Sequence, residues 1–242
     1  MFQRKRYLLL LLFFLILSFN SHAQLETRWW YFGEAAGLDF ISGTALADTN
    51  SAQKGNGMGC AVQSDSIGNL MFYYGHDTLV NRLHQPMLNG TGLLEEGPSE
   101  QSTVSVPRPN VDGQYYVFTT DVAGAFNSAI TENGLFYHLV DMSLDNELGG
   151  VVDSVKNMVL MDDSTSEKIS ATPHANGIDY LVMIQQCGTN LYHAYLVSEN
   201  GPSSVPVTSQ FGLVAGNYGL CSGAIRFNHA GTMMACTKSN NL

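Results

Sequence analysis

Basic residues are scarce. The 242-residue chain carries 11 Lys and Arg against 21 Asp and Glu, and only 13% of it is charged. So few cations leave little to neutralise phosphates, which argues against nucleic acid as a partner. They also leave little material for long amphipathic helices. Cysteine is sparse too: Cys60, Cys187, Cys221 and Cys236 are the four, and none stands in a C-x-x-C pair. Nothing therefore points to a zinc ribbon or a thioredoxin-type motif. There is no G-x-S-x-G elbow, no H-E-x-x-H helix and no P-loop. Gly55-Asn56-Gly57-Met58-Gly59 is rich in glycine but lacks the Lys-Ser/Thr of a phosphate loop. It reads as a connection into a strand at Cys60.

The one long apolar run lies at the amino terminus. Arg4, Lys5 and Arg6 precede the unbroken stretch Leu8 to Leu17, and Ser21-His22-Ala23 supplies small residues at the positions a signal peptidase reads. Ten apolar residues are too few to cross a bilayer core, which takes about 20 in a helix. Residues 1–23 are accordingly expected to be a cleaved signal peptide, with Gln24 as the new terminus and a secreted or cell-surface protein as the product. Removing 23 of 242 residues leaves 219 and takes away three basic residues, so the mature net charge is −13. No later run is long enough to span a membrane. An oxidising compartment permits disulfides. However, four cysteines do not make a disulfide scaffold, and Cys60 and Cys236 sit in apolar runs, so buried thiols are expected. No 221–236 bridge is expected. Pairing Phe227 with Thr232 would leave those two cysteines on a diagonal, about 7–8 Å apart.

Short runs of Val, Ile, Tyr and Phe between Gly, Asn, Asp and Pro are strand-and-turn grammar. Four times a strand runs into a polar turn closed by glycine and then a compact apolar strand. The copies are Cys60–Gln63 with Leu70–Tyr74, Val104–Val106 with Tyr115–Phe118, Ile169–Thr172 with Tyr180–Ile184, and Gly223–Phe227 with Met233–Cys236. Gly68, Gly113, Gly177 and Gly231 close the turns, at intervals in the range of WD40-like propeller blades. Third strands are expected at Leu79-Val80, Leu135–Val140 and Leu191–Val197, and outer strands at 157–161 and 206–214. The fold expected over residues 24–242 is an all-β, β-propeller-like array, with a β-sandwich as the competing arrangement.

The opening Trp29-Trp30-Tyr31-Phe32-Gly33-Glu34-Ala35-Ala36-Gly37-Leu38-Asp39-Phe40 resembles the start of propeller-bearing surface proteins of gliding bacteria, cargoes of the type IX secretion system. Gly68–Tyr73, Met87–Leu94 and His174–Gly177 are similar to further segments of that family. The resemblance runs over nearly all of residues 29–240. It implies a gliding-motility-associated surface location and a propeller. Its members carry further β modules, often of the polycystic-kidney-disease (PKD) type, and a carboxy-terminal sorting domain. It brings no catalytic residues.

Candidates for chemistry are few. His76, His84, His138, His174, His193 and His229 are scattered over different repeats; strand or turn positions are expected for them rather than a metal site. Asp162, Asp163 and Glu167 could hold Ca²⁺ but lack the D-x-D-x-D-G order and read as a solvated acidic loop. Trp29, Trp30 and Tyr31 read as core, with stacking on sugar as the alternative. No catalytic, cofactor-binding or metal residue is assigned, and no cofactor is expected. The functional expectation is a non-enzymatic binding or display module in adhesion or gliding-associated surface structure, meeting a protein or glycan ligand. The alternative is a secreted propeller hydrolase or lyase acting on polysaccharide.

One more expectation concerns the ends. Trp29–Ile41 reads as a leading strand, and the last repeat stops at Leu242 soon after its hairpin. The propeller is thus expected to be incomplete, about three and a half blades where closed rings need about four to eight, and prone to self-association when expressed alone.

Overall fold

The computed structural model describes residues 25–53, 60–94, 101–121, 134–212, 214 and 221–237. The expected export signal, the Gly55–Gly59 connection and the final residues to Leu242 lie outside these ranges. Among the described residues the architecture is all-β. Five antiparallel sheets follow one another in chain order, and they form no closed barrel.

The first sheet corrects an expectation. Trp29–Phe32 (β1), Ala36–Asp39 (β2) and Leu46–Asp48 (β3) form a sheet of their own rather than one leading strand. The chain reverses at Gly33 and Ala35, both with positive φ. Strand alternation then sorts the aromatic run. Tyr31 is 1% exposed, Trp29 is half-buried, and Trp30 faces out at 54%.

The four hairpins expected from the repeat all form. Cys60–Ser64 (β4) pairs with Leu70–Gly75 (β5), and Thr78–Asn81 (β6) adds the third strand. Thr103–Pro107 (β7), Gln114–Asp121 (β8) and Gly134–Asp141 (β9) come next. The far edge of β9 is covered in two pieces, Gly150–Val151 (β10) and Met158–Met161 (β11). The fourth sheet repeats this plan. Thr165–Pro173 (β12), Tyr180–Gln186 (β13) and Leu191–Ser198 (β14) are followed by Gly201–Pro202 (β15) and Val207–Gln210 (β16), both on β14. Ile225–Phe227 (β17) and Met234–Cys236 (β18) make the last hairpin.

Turn chemistry explains why the repeat was visible. Asp65 Oδ1 accepts from the N–H of Ile67 and Asn69 at 3.0 and 2.8 Å. Asn176 Oδ1 does the same for Ile178 and Asp179, and Asn228 Oδ1 for Thr232 and Met233. The closing glycines Gly68, Gly113, Gly177 and Gly231 have φ of 85°, 73°, 74° and 66°, where a side chain would be strained.

Each apolar core lies between consecutive sheets. Tyr31, Leu70, Tyr73 and Val80 join the first two. Phe72, Tyr74, Leu79, Val117 and Val140 join the second and third. Val106, Phe118, Leu135, Ile169, Val182 and Ile184 join the third and fourth. Fully burying such a side chain contributes about 1.5–3 kcal/mol, so these seams bind the sheets into one body. On one side β1, β4, β7, β12 and β17 lie next to one another in that order. Gln101 ties two of the junctions. It forms a parallel bridge with Lys168, and its side-chain amide bonds both the N–H and the carbonyl of Ile225 at 3.0 and 3.2 Å.

The cysteines depart from expectation. Cys187 and Cys221 form a disulfide with Cα atoms 5.6 Å apart, while Cys60 and Cys236 are free and half-buried. The expectation of four buried thiols is overturned because β12 gathers two distant positions. The N–H of Cys187 bonds the carbonyl of Ser164, and the carbonyl of Cys221 accepts from the N–H of Glu167. The last hairpin also has a different register. Phe227 faces Met234, which puts Cys236 opposite Ile225.

Candidate functional site

Polar side chains concentrate in two places. The first is the start of β12, where Thr165, Ser166, Glu167 and Lys168 are all buried. Glu167 is therefore no part of an acidic loop; Asp162 and Asp163 stay exposed in the loop and Glu167 enters the strand. Glu167 Oε1 accepts from the Ser222 hydroxyl at 3.3 Å. Lys168 Nζ donates to Gln185 Oε1 at 3.3 Å, and Gln185 Nε2 donates to the carbonyl of Thr189 at 3.2 Å. The Lys168–Gln185–Thr189 bonds lie within the fourth sheet, and the Glu167–Ser222 bond ties its first strand to the segment before the last hairpin.

The second is a cavity of about 460 Å³ beside the β5–β6 turn. Its volume falls within the range of small-ligand sites. Gly75 pairs with Thr78, leaving His76 and Asp77 as a two-residue hairpin turn with φ of 44° and 57°. Both angles are positive, as a type I′ turn requires, and Asp is among the residues that accept this. Leu93 N–H bonds the carbonyl of Asp77 at 2.9 Å and fixes the turn against the following loop. His84, at φ 60°, closes a second turn onto Asn81 and brings its ring to the same cavity. Val80 and Pro86 supply apolar wall.

A hydrogen bond holds the His84 ring. Tyr73, fully buried on β5, accepts at Oη from the N–H of Ala52 at 2.7 Å. The same oxygen lies 3.1 Å from His84 Nδ1, and which of the two donates follows the imidazole tautomer. The other ring nitrogen, Nε2, is not used by this bond. Tyr31 packs behind, 4.5 Å from Tyr73 and edge-on to His84 at 5.9 Å between centroids. Its hydroxyl donates to Asp48 Oδ2 at 2.7 Å. Burial and this carboxylate both raise the Tyr31 pKa. For Asp48 burial pulls upward, but hydrogen bonds from Tyr31 and the Asn50 N–H, with His84 nearby, outweigh it and hold the carboxyl below its usual range. Thr78 Oγ1 donates to Asp77 Oδ1 at 2.7 Å; no described residue bonds the second oxygen.

Of the six histidines singled out in the sequence, His76 and His84 line this one cavity among the described residues. His138 is fully buried on β9, and His193 lies on β14, between Thr208 at 3.1 Å and Gln186 at 3.3 Å. His174 and His229 lie in hairpin turns. Among the described residues no group of three or more His, Cys, Asp or Glu could hold a metal ion. Asp77, Thr78 and Tyr73 were missed as site residues. The His-Asp pair between two apolar strands was the available signal, since it is hairpin-turn chemistry with two functional side chains. No described helix is long and apolar enough to cross a membrane. No family model, curated protein or solved structure matches the chain.

Proposed function

We propose that this chain is an exported, cell-surface β-propeller module that binds or displays and does not catalyse, serving adhesion or gliding-associated surface structure. The propeller reading is supported by the serial order of the sheets, with one edge strand of each against the next and an apolar seam at every junction from the first to the fourth. The third and fourth sheets also share a fourth strand split in two on the same partner. Export is supported by the signal-peptide pattern of residues 1–23, and the gliding-surface setting by the sequence resemblance.

The binding reading rests on the cavity beside the His76-Asp77 turn. It presents one carboxylate, an imidazole held by Tyr73 and an apolar wall. Most glycoside hydrolases use two carboxyl groups about 5–9.5 Å apart across the bond; of the residues lining this cavity, Asp77 is the one carboxylate. A lyase reading draws on the Tyr73–His84 pair, but Tyr73 is fully buried and its oxygen is occupied. Incubating the exported protein with polysaccharide from its own cell surface separates the readings. Retention of the protein without new reducing ends or unsaturated uronate is expected. Release of either product would establish the enzyme instead.

A further inference from the structure

We infer that the cavity beside the His76-Asp77 turn holds a single neutral pyranose unit of a glycan, an assignment that rests on the binding-module reading above. The ligand class follows from what the walls offer together. Asp77 presents a carboxylate oxygen that no described residue occupies, so the ligand must donate. His84 presents its second ring nitrogen, which donates or accepts according to the tautomer, so the ligand must hydrogen-bond there as well. Val80 and Pro86 are apolar, so one face of the ligand must be apolar too. A simple anion would accept but not donate, and it would face the Asp77 carboxylate. A bare metal cation would need more ligands, and among the described residues no group of three or more His, Cys, Asp or Glu could hold one. A hydroxylated ring satisfies all three demands, since each hydroxyl both donates and accepts and the axial C–H face is apolar.

The site is also held in shape before any ligand arrives. The type I′ turn is closed by the Gly75–Thr78 pair and tethered by Leu93. The His84 ring is held between the Tyr73 hydroxyl and the Tyr31 edge. Little ordering is left for binding to supply, which favours a small rigid ligand. The left-handed backbone at His76, Asp77 and His84 is unusual for three non-glycine residues on one cavity. All three residues line the cavity.

The test uses the full exported chain and saturation-transfer NMR. The neutral probes are methyl β-glucopyranoside, methyl β-galactopyranoside, methyl α-mannopyranoside and N-acetylglucosamine; the charged probes are glucuronate and glucosamine. At least one neutral pyranoside should bind with affinity on the order of millimolar and show transfer to its ring C–H protons. Asp77→Asn should weaken it about tenfold or more, the loss expected for a hydrogen bond to a charged group. This variant keeps the turn, because Asn suits a type I′ position at least as well. His84→Phe should abolish binding, with thermal melting to show that the variant folds. Absence of binding by every neutral probe overturns the inference, as does an Asp77→Asn variant that binds unchanged, or tighter binding of a charged probe. If surface polysaccharide is still retained in any of those cases, the binding module stands and only the pyranose site falls. If polysaccharide is cleaved, the module reading itself fails.

Discussion

The most quantitative prediction concerns His138, which is fully buried on β9 with both ring nitrogens in use. Asn157 N–H donates to Nδ1 at 3.0 Å, so Nε2 carries the proton and donates to Thr119 Oγ1 at 3.1 Å. Thr119 in turn donates to the carbonyl of Leu94 at 2.7 Å. Every donor in this chain has an acceptor only while the imidazole is neutral. Burial, with Lys156 as the lesser contributor, lowers the His138 pKa to about 3. The unfolded chain takes up this proton near pH 6.5, and the folded chain does not until about pH 3. Between those values the unfolded state binds more protons, so stability falls as pH falls, approaching ~1.4 kcal/mol per pH unit well below pH 6.5. The full swing is about 3–5 kcal/mol, complete near pH 3. His138→Gln can keep a donor and an acceptor without titrating. Urea melts of both proteins from pH 7 to 4 should show a flatter slope for the variant, by about one proton, over the carboxylate titrations they share. Equal slopes, or a native His138 resonance titrating near 6.5, would refute the reasoning.

Reducing the Cys187–Cys221 bridge, which spans 34 residues, should lower stability by about 3–4 kcal/mol in the loop-entropy account; a melting midpoint unmoved by reductant would show that β12 alone holds those ends. Gln53 is buried on the Gly75 backbone with neither end of its amide bonded among the described residues. Gln53→Met should therefore raise stability by about 1 kcal/mol, since a buried unsatisfied amide costs about 1–3, and a lower midpoint in urea would contradict this. Arg28 forks onto Asp39 at 2.6 and 2.7 Å and lies over the Trp29 ring at 4.4 Å. Arg28→Lys keeps the charge but loses the fork and the stacking, and should cost about 1 kcal/mol in the same melts; an unchanged midpoint would assign the pair no net role.

Strand grammar was legible because turns and strands obey local rules. Gly68, Gly113 and Gly231 sit at positive φ with an Asp or Asn three residues back, and the side chains of Asp65 and Asn228 close their turns; at Gly177, also at positive φ, the closing side chain is that of Asn176, one residue back. Such chemistry is written within six residues. The third strands at Leu79-Val80, Leu135–Val140 and Leu191–Val197, and the outer pairings of β11 and β16, follow from short apolar runs between those turns. The first sheet escaped notice because its reversal uses Gly33-Glu34-Ala35, which lacks an Asx residue, and because Trp29 to Phe32 are apolar without visible alternation. The last register slipped by two residues because Asn228 closes onto Thr232 and Met233 together, making a wider turn than a four-residue reversal allows.

What could not be read locally is decided between sheets. Cys187 and Cys221 meet only because both flank β12, and Glu167 is buried only because β17 and its approach cover that strand. In sequence each of these residues looks like a surface loop neighbour. The site escaped for a related reason. The His84 ring is held by Tyr73 on a neighbouring strand, whose hydroxyl is itself bonded by Ala52 from the loop after the first sheet. Its chemistry thus belongs to three separated segments and to none of them alone. In a fold of serial sheets the strands repeat and their grammar repeats with them. Specificity must then enter where the repeat is broken, and only the second hairpin places a histidine and an aspartate at a two-residue turn that faces a cavity. Among the described residues this departure from the common pattern, more than any motif within it, is the reason the binding site is proposed there.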